Sequence, residues 1–257
     1  MIFRYYSNRY RRYSEILPFQ ITKLAANHAG GSRVYPSSGL YSWQLAETLR
    51  LQKFSPVVYS RKQFPEIFDH LLYTYIESGL PLILTLPKHV VVAFGHKSDY
   101  AAVWPHAPTE ATPGPVVPHQ RFDYSSLFNR AFVINDDNFF PYQILNREGP
   151  GRLVDSQYNW RQIEEFIVPL PERVFLTAEQ VQPAIEAVLT DAGVGISARS
   201  PTLSGKKLLL RLFLSTARSF KRKLRERGMG HSTVENVYRR MPMPHFVWVC
   251  EIAEFSE

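Results

Sequence analysis

Two short apolar runs, Leu80 to Leu86 and His89 to Gly95, are separated by only Pro87-Lys88. A connection that short can join only antiparallel neighbours, so the segment is predicted to be a β-hairpin. Both runs are apolar at consecutive positions. A strand with water on one face would alternate, so the pair is expected at the centre of a sheet, covered on both sides. Whatever else the chain forms must supply that cover.

The stretch just upstream is the clearest helical pattern. Phe64, Ile67, Phe68, Leu71, Leu72, Tyr75 and Ile76 recur at steps of three and four, with Pro65 near the start and Gly79 at the stop. Further helices are expected from Met1 to about Tyr13, from Pro18 through Ile21, Leu24, Ala25 and His28 to Gly30-Gly31, and after Ser42 as cap. Pro36 to Gly39 reads as a turn and Trp104 to Pro118, with five prolines, as a loop. Strands are predicted at Ala131–Asn135, Pro141–Leu145, Glu165–Leu170 and His245–Ile252. A helix from Thr177 to about Leu189, a loop from Asp191 to Ser204 and a long helix from Leu208 to Arg225 complete the reading. The fold class is α+β, with helices on a central antiparallel sheet and a basic helical extension at the C-terminal end. One domain is expected over 1–257, with a core in 1–171 and the extension, ending in a strand, in 172–257.

The 257 residues are 45% hydrophobic and 14% aromatic, enough to build a substantial core. The single cysteine, Cys250, excludes an internal disulfide framework. No apolar run reaches membrane-spanning length, and the start has no signal-peptide core, so a cytoplasmic location is expected. The net charge of +7 is local: Arg199 to Arg240 holds twelve Lys/Arg against two Asp/Glu, while the remainder carries −3. On the predicted long helix, Arg211, Arg218, Lys221, Arg222 and Arg225 form a basic face suited to an acidic partner. Nucleic acid is left open, since Arg and Tyr interleave from Arg4 to Tyr13 but no recognised motif accompanies them.

The chemistry-bearing candidates are His89, at a strand start, and Asp136, just past a strand end, with Asp137 and Asn138 as alternates. A neutral imidazole accepts a proton near neutral pH, and a carboxylate on its other nitrogen fixes the tautomer. Gln20 and Gln44 have the amide chemistry of oxyanion donors, with no positional argument for that role. Ser37, Ser38 and Cys250 have the chemistry of nucleophiles, but turn chemistry explains the serines and burial the cysteine. No metal site and no cofactor is expected: Cys pairs, an Asp-Gly calcium loop and a phosphate-cradling loop are all missing, and His89 with His96, or His106 with His119, have no reason to converge.

Three stretches resemble papain-like cysteine peptidases of the C39-like kind. They are Arg33 to Leu40 with Gln44 and Leu45; Gly79 to Leu84 followed by His89 to His96; and Asn135 to Asn138 followed by Pro141-Tyr142. Together they cover roughly Arg33 to Leu145, and nothing after Pro171 has a counterpart. The resemblance implies a papain-like core in which His89 is the base, Asp136 orients it, and a peptide or protein is the substrate. It also implies a nucleophilic cysteine upstream of all three stretches, at a helix N-terminus, where Met1 to Tyr13 already stands. The expectation is therefore a thiol-hydrolase scaffold that lacks its nucleophile, through truncation or as an inactive descendant.

Overall fold

The computed structural model describes residues 1–27, 40–99, 116–117, 120–150, 154–190, 207–226 and 232–254. Seven α-helices and ten strands lie among them. The class is mixed α and β with a large antiparallel sheet. The chain divides into two compact units: Met1–His106 with Phe128–Glu172, and Ala107–Leu127 with Arg173–Glu257. The expected turn at Pro36 to Gly39, the stretch from Arg33 to Gly39, the candidates Ser37 and Ser38, His28, His106, His119 and the loop from Asp191 to Ser204 lie outside the described residues.

The first unit is built on a six-stranded sheet. Its strands are β1 (Phe54–Ser60), β2 (Leu82–Leu86), β3 (His89–Ser98), β6 (Asn129–Asn135), β7 (Gln143–Asn146) and β8 (Glu165–Pro171), in the order β1-β8-β2-β3-β6-β7. All pairs are antiparallel. The β2–β3 hairpin occupies the middle of the sheet, but the expected cover on both faces holds for β2 alone: in β3 Val91 and Ala93 are buried, while Val90 on the other face is exposed. Lys88 takes a positive φ of 62°. Pro87 before it is held negative by its ring, and this sign pattern is that of a type II turn. The turn sets the register that places Leu86 opposite His89.

Proline explains where this sheet ends. Pro56 on edge strand β1 sits opposite Pro169 of β8. Neither can donate to the ladder, and β2 pairs with β8 only from Glu165 to Ile167. Four helices accompany the sheet: α1 (Ile2–Arg9), α2 (Pro18–Asn27), α3 (Ser42–Leu51) and α4 (Phe68–Glu77). Of the N-terminal tyrosines Tyr6 is core, and Tyr5, Tyr10 and Tyr13 are half-buried around it. Tyr6 is fully buried and donates to the Pro169 carbonyl at 2.7 Å, and Tyr6 and Tyr13 pack on Phe54. Phe166 stacks on Tyr59 and meets Phe68 edge-to-face, each ring centroid 4.9 Å away. Burying such a side chain contributes about 2–3 kcal/mol.

In the second unit the C-terminal expectation is corrected. The predicted helix from Leu208 to Arg225 is a strand followed by a helix: β9 (Lys207–Thr216), then α6 (Ala217–Glu226). Read with a period of 3.6, Leu210, Phe213, Leu214 and Ala217 make a stripe. The actual period through the first half is two, with Leu208, Leu210 and Leu212 buried. Pairing overrides the helical propensity of leucine. β9 aligns nine residues with β10 (Phe246–Glu254) and runs parallel to β5 (Gln120–Tyr124), which also pairs β4 (Val116–Val117). The switch falls at Thr216, whose Oγ1 accepts from the Ser219 amide at 3.1 Å and caps α6. Helix α5 (Ala178–Thr190) packs Ile185 and Leu189 against Phe122, Tyr124, Leu208 and Leu210. The last helix is α7 (Ser232–Arg240). No helix among the described residues is long and apolar enough to cross a membrane.

Burial in α4 has a pH consequence. His70 is buried, which lowers its pKa to about 4. In the unfolded chain the ring takes a proton near pH 6.5. Between those values the unfolded state binds more protons, so stability is full above about pH 6.5 and falls as pH drops toward 4. Urea denaturation should show His70 removing roughly 2 kcal/mol between pH 7 and pH 4.5, at about 1.36 kcal/mol per pKa unit. The His70→Gln chain should lack that part of the slope; an unchanged slope would contradict the burial argument.

Candidate functional site

Antiparallel pairing of β3 with β6 sets Val92 opposite Asn135. Continuing that register by one pair brings the first residues of β3 alongside those just past the end of β6. Val91 and Ala93 on β3, and Phe132 and Ile134 on β6, are buried. By alternation His89 shares the face of Val91, and Asp136 that of Ile134. Their side chains meet: His89 Nε2 lies 2.9 Å from Asp136 Oδ1, with the ring 16% exposed and the carboxylate 1%.

The details matter for the chemistry. Asp136 Oδ1 also accepts from the Asn138 amide at 3.0 Å, which folds the chain back after the strand end. The turn breaks strand alternation and brings Asp137 to the same place: His89, Asp136 and Asp137 each offer a donor atom within 4.8 Å of the others. Asp137 and Asn138 are exposed. Asp136 is thus the carboxylate that meets the ring, Asp137 stands beside it, and Asn138 contributes its backbone. The Nε2–Asp136 contact is close but not an aligned hydrogen bond: Nε2 and Asp136 Oδ2 are buried atoms with no hydrogen-bond partner among the described residues. Tyr158 stacks on the imidazole with centroids 5.8 Å apart and planes at 22°. A cleft lined by Ser60, Arg61, Pro87, Arg161, Gln162 and Glu165 opens at this end of the sheet, and His89 does not line it.

The other candidates are differently placed. Cys250 lies in β10 of the second unit, paired with Leu212, and burial together with nearby Glu251 pushes its thiol up to about 11. Such a thiol is protonated near neutrality and is no nucleophile. Gln44 accepts from the Tyr41 amide at 2.8 Å and Gln20 from the Leu17 amide at 3.0 Å. Both are spent on helix starts, so neither is aimed at an oxyanion. Tyr41, not Ser42, is the cap residue of α3.

The basic residues do not share one helix. Arg211 is on β9, where it pairs across the ladder with Glu251 at 2.8 Å. Arg218, Lys221, Arg222 and Arg225 are on α6, which buries none of its residues. Lys221 donates to the carbonyls of Arg239 and Met241, tying α6 to the end of α7, and Arg222 faces Glu226 at 3.6 Å. A groove between α6 and α7 is lined by Arg218, Lys221, Leu224, Arg225, Tyr238 and Arg239.

A second histidine centre went unread in the sequence. His96 Nε2 pairs with Glu77 of α4, Nδ1 lies 3.1 Å from Ser98 Oγ, and Tyr73 packs on the ring at 4.6 Å. Hydroxyl, imidazole and carboxylate stand in the order that activates a serine. The Asp99 amide that follows Ser98 is however committed to the Phe128 carbonyl, so that donor is not available to an oxyanion. The group reads as a half-buried polar strut between α4 and β3. Its sequence signal was Gly95: a glycine inside a strand marks a bulge, and the register of β3 shifts between Ala93 and Gly95.

Against family models, curated proteins and solved structures, the chain finds no match. The site therefore stands on its own geometry.

Glu77 is 6% exposed in its side chain, so the His96 pair is largely shielded from water. Glu77→Gln should cost about 1–3 kcal/mol in urea denaturation, the range for weakening a charged hydrogen bond at a buried group. A loss below measurement would mean that the strut carries no load.

Proposed function

We propose that this chain is a papain-like scaffold of the C39-like kind, holding the base and orienter of a thiol hydrolase without the thiol. The observation that carries the reading is the 2.9 Å approach of Asp136 to His89 Nε2. A carboxylate there favours the tautomer with its proton on Nε2, which leaves Nδ1 as the basic nitrogen that would face a thiol. The central antiparallel sheet with the histidine at a strand start, and helices beside it, supports the same reading. In an active relative of this design the imidazole would take the thiol proton, and the thiolate would attack a peptide or isopeptide carbonyl. The sequence as given holds one cysteine, Cys250, which lies in β10, where burial pushes its thiol up to about 11.

The dyad is tested by nuclear magnetic resonance of ring nitrogens in chelator-treated protein. His89 should show the Nε2–H tautomer. Asp136→Ala removes the acceptor beside that nitrogen and should leave a mixture of the two tautomers. A His89 tautomer unchanged by that substitution would end the reading.

A second reading has its own observation. Five of the ten residues of α6 are basic, and the groove beside it sets Arg218, Arg225 and Arg239 around Leu224 and Tyr238. This surface suits an acidic protein partner. Binding to an acidic peptide column should weaken steeply with salt and fall at least tenfold in Arg218→Glu/Arg225→Glu. Unchanged retention would remove this reading and leave the first untouched.

A further inference from the structure

The geometry points to a divalent-metal site formed by His89, Asp136 and Asp137. This inference does not rest on the thiol-hydrolase reading and contradicts the expectation, from sequence, of no metal site. It begins from charge. Two carboxylates and an imidazole bring their donor atoms within 4.8 Å of one another. Among the described residues no Lys or Arg pairs with either carboxylate. The Asp136 side chain is 1% exposed, and its Oδ2 finds no hydrogen-bond partner. A buried carboxylate beside a second one needs compensation. A protonated imidazole supplies one positive charge, and a divalent ion supplies two.

The donor directions agree with an ion. His89 Nε2 approaches Asp136 without alignment along a ring N–H bond, and it is itself a buried atom without a partner. That suits a lone pair directed at a third body. Around a first-row divalent ion the ligand atoms lie at about 2.0–2.2 Å, which sets neighbouring donors about 3–4 Å apart. The 2.9 Å pair already has that spacing, and exposed Asp137 is the arm free to close the remainder. One imidazole nitrogen with two carboxylate oxygens favours zinc or manganese over magnesium or calcium. Three protein ligands leave positions for water, so the site is open and not a closed structural one.

The full chain, stripped with chelator and dialysed, is titrated with Zn2+, with Mg2+ in parallel, by calorimetry and by metal analysis after dialysis. One equivalent of Zn2+ and no Mg2+ should bind. His89→Ala and Asp137→Asn should each weaken Zn2+ binding at least tenfold, with the exposed His245→Ala unchanged. Asp137 is on the surface, so its substitution leaves the fold intact, which circular dichroism checks. Failure of the folded chain to take up one Zn2+, or equal weakening by His245→Ala, overturns the site. The metal-free tautomer measurement described above is independent of either result.

Discussion

The alignment of β3 with β6 is the constraint on which everything functional here depends. The two strands are antiparallel and out of step in length, so the first residue of one comes level with the residues just beyond the other. Antiparallel geometry then fixes the faces: once Val91 and Ile134 point into the core, His89 and Asp136 must point the same way. A shift of one residue would send both polar groups to the opposite face and both apolar sets with them. The register is therefore held by hydrocarbon, at no cost to the site, and the two-residue turn at Pro87-Lys88 holds it from the other side.

The same strand carries a second imidazole by a different device. Without a bulge, His96 would lie on the face opposite Val91 and Ala93, since odd and even positions alternate. The shift between Ala93 and Gly95 changes the parity, and His96 comes level with Phe132, whose side chain is buried. Helix α4 meets it there with Glu77 and Tyr73. One strand thus presents two histidines on one face with opposite roles. His96 has a partner at both ring nitrogens and is locked, whereas His89 has one off-axis carboxylate and a stacked ring. Locked rings serve as struts; the ring with an unspent nitrogen is the one available for chemistry.

How much of this the sequence disclosed depends on the range of the interaction. The central hairpin was legible because its signal is local: two apolar runs and a turn. The His89–Asp136 pair was legible as an order of residues, strand start and then strand end, but not as a contact, which needs the register. The 207–226 segment was misread because leucine-rich stretches satisfy two periods at once, and only the partners β5 and β10 decide between them. β1 and β5 were missed altogether. Phe54–Ser60 carries Pro56, and Gln120–Tyr124 has one charged residue on each side of Phe122, so neither looks like a strand until a neighbour pairs it. Glu77 and Tyr158 carry no local signal for the rings they meet.

The two readings of His89 turn on one proton. With the proton on Nε2, the ring turns toward Asp136 as a donor, and Nδ1 is the base. With Nε2 stripped, the same nitrogen becomes a ligand, and Asp137 is drawn in as the third arm. A buried carboxylate beside an exposed one favours whichever cation is at hand, imidazolium or metal. Asp137 separates the cases, because it contributes nothing to a dyad and one full bond to a metal. Its place at the tip of the Asp136–Asn138 turn, outside the sheet and free of any partner among the described residues, is what leaves the choice open to the solution around it.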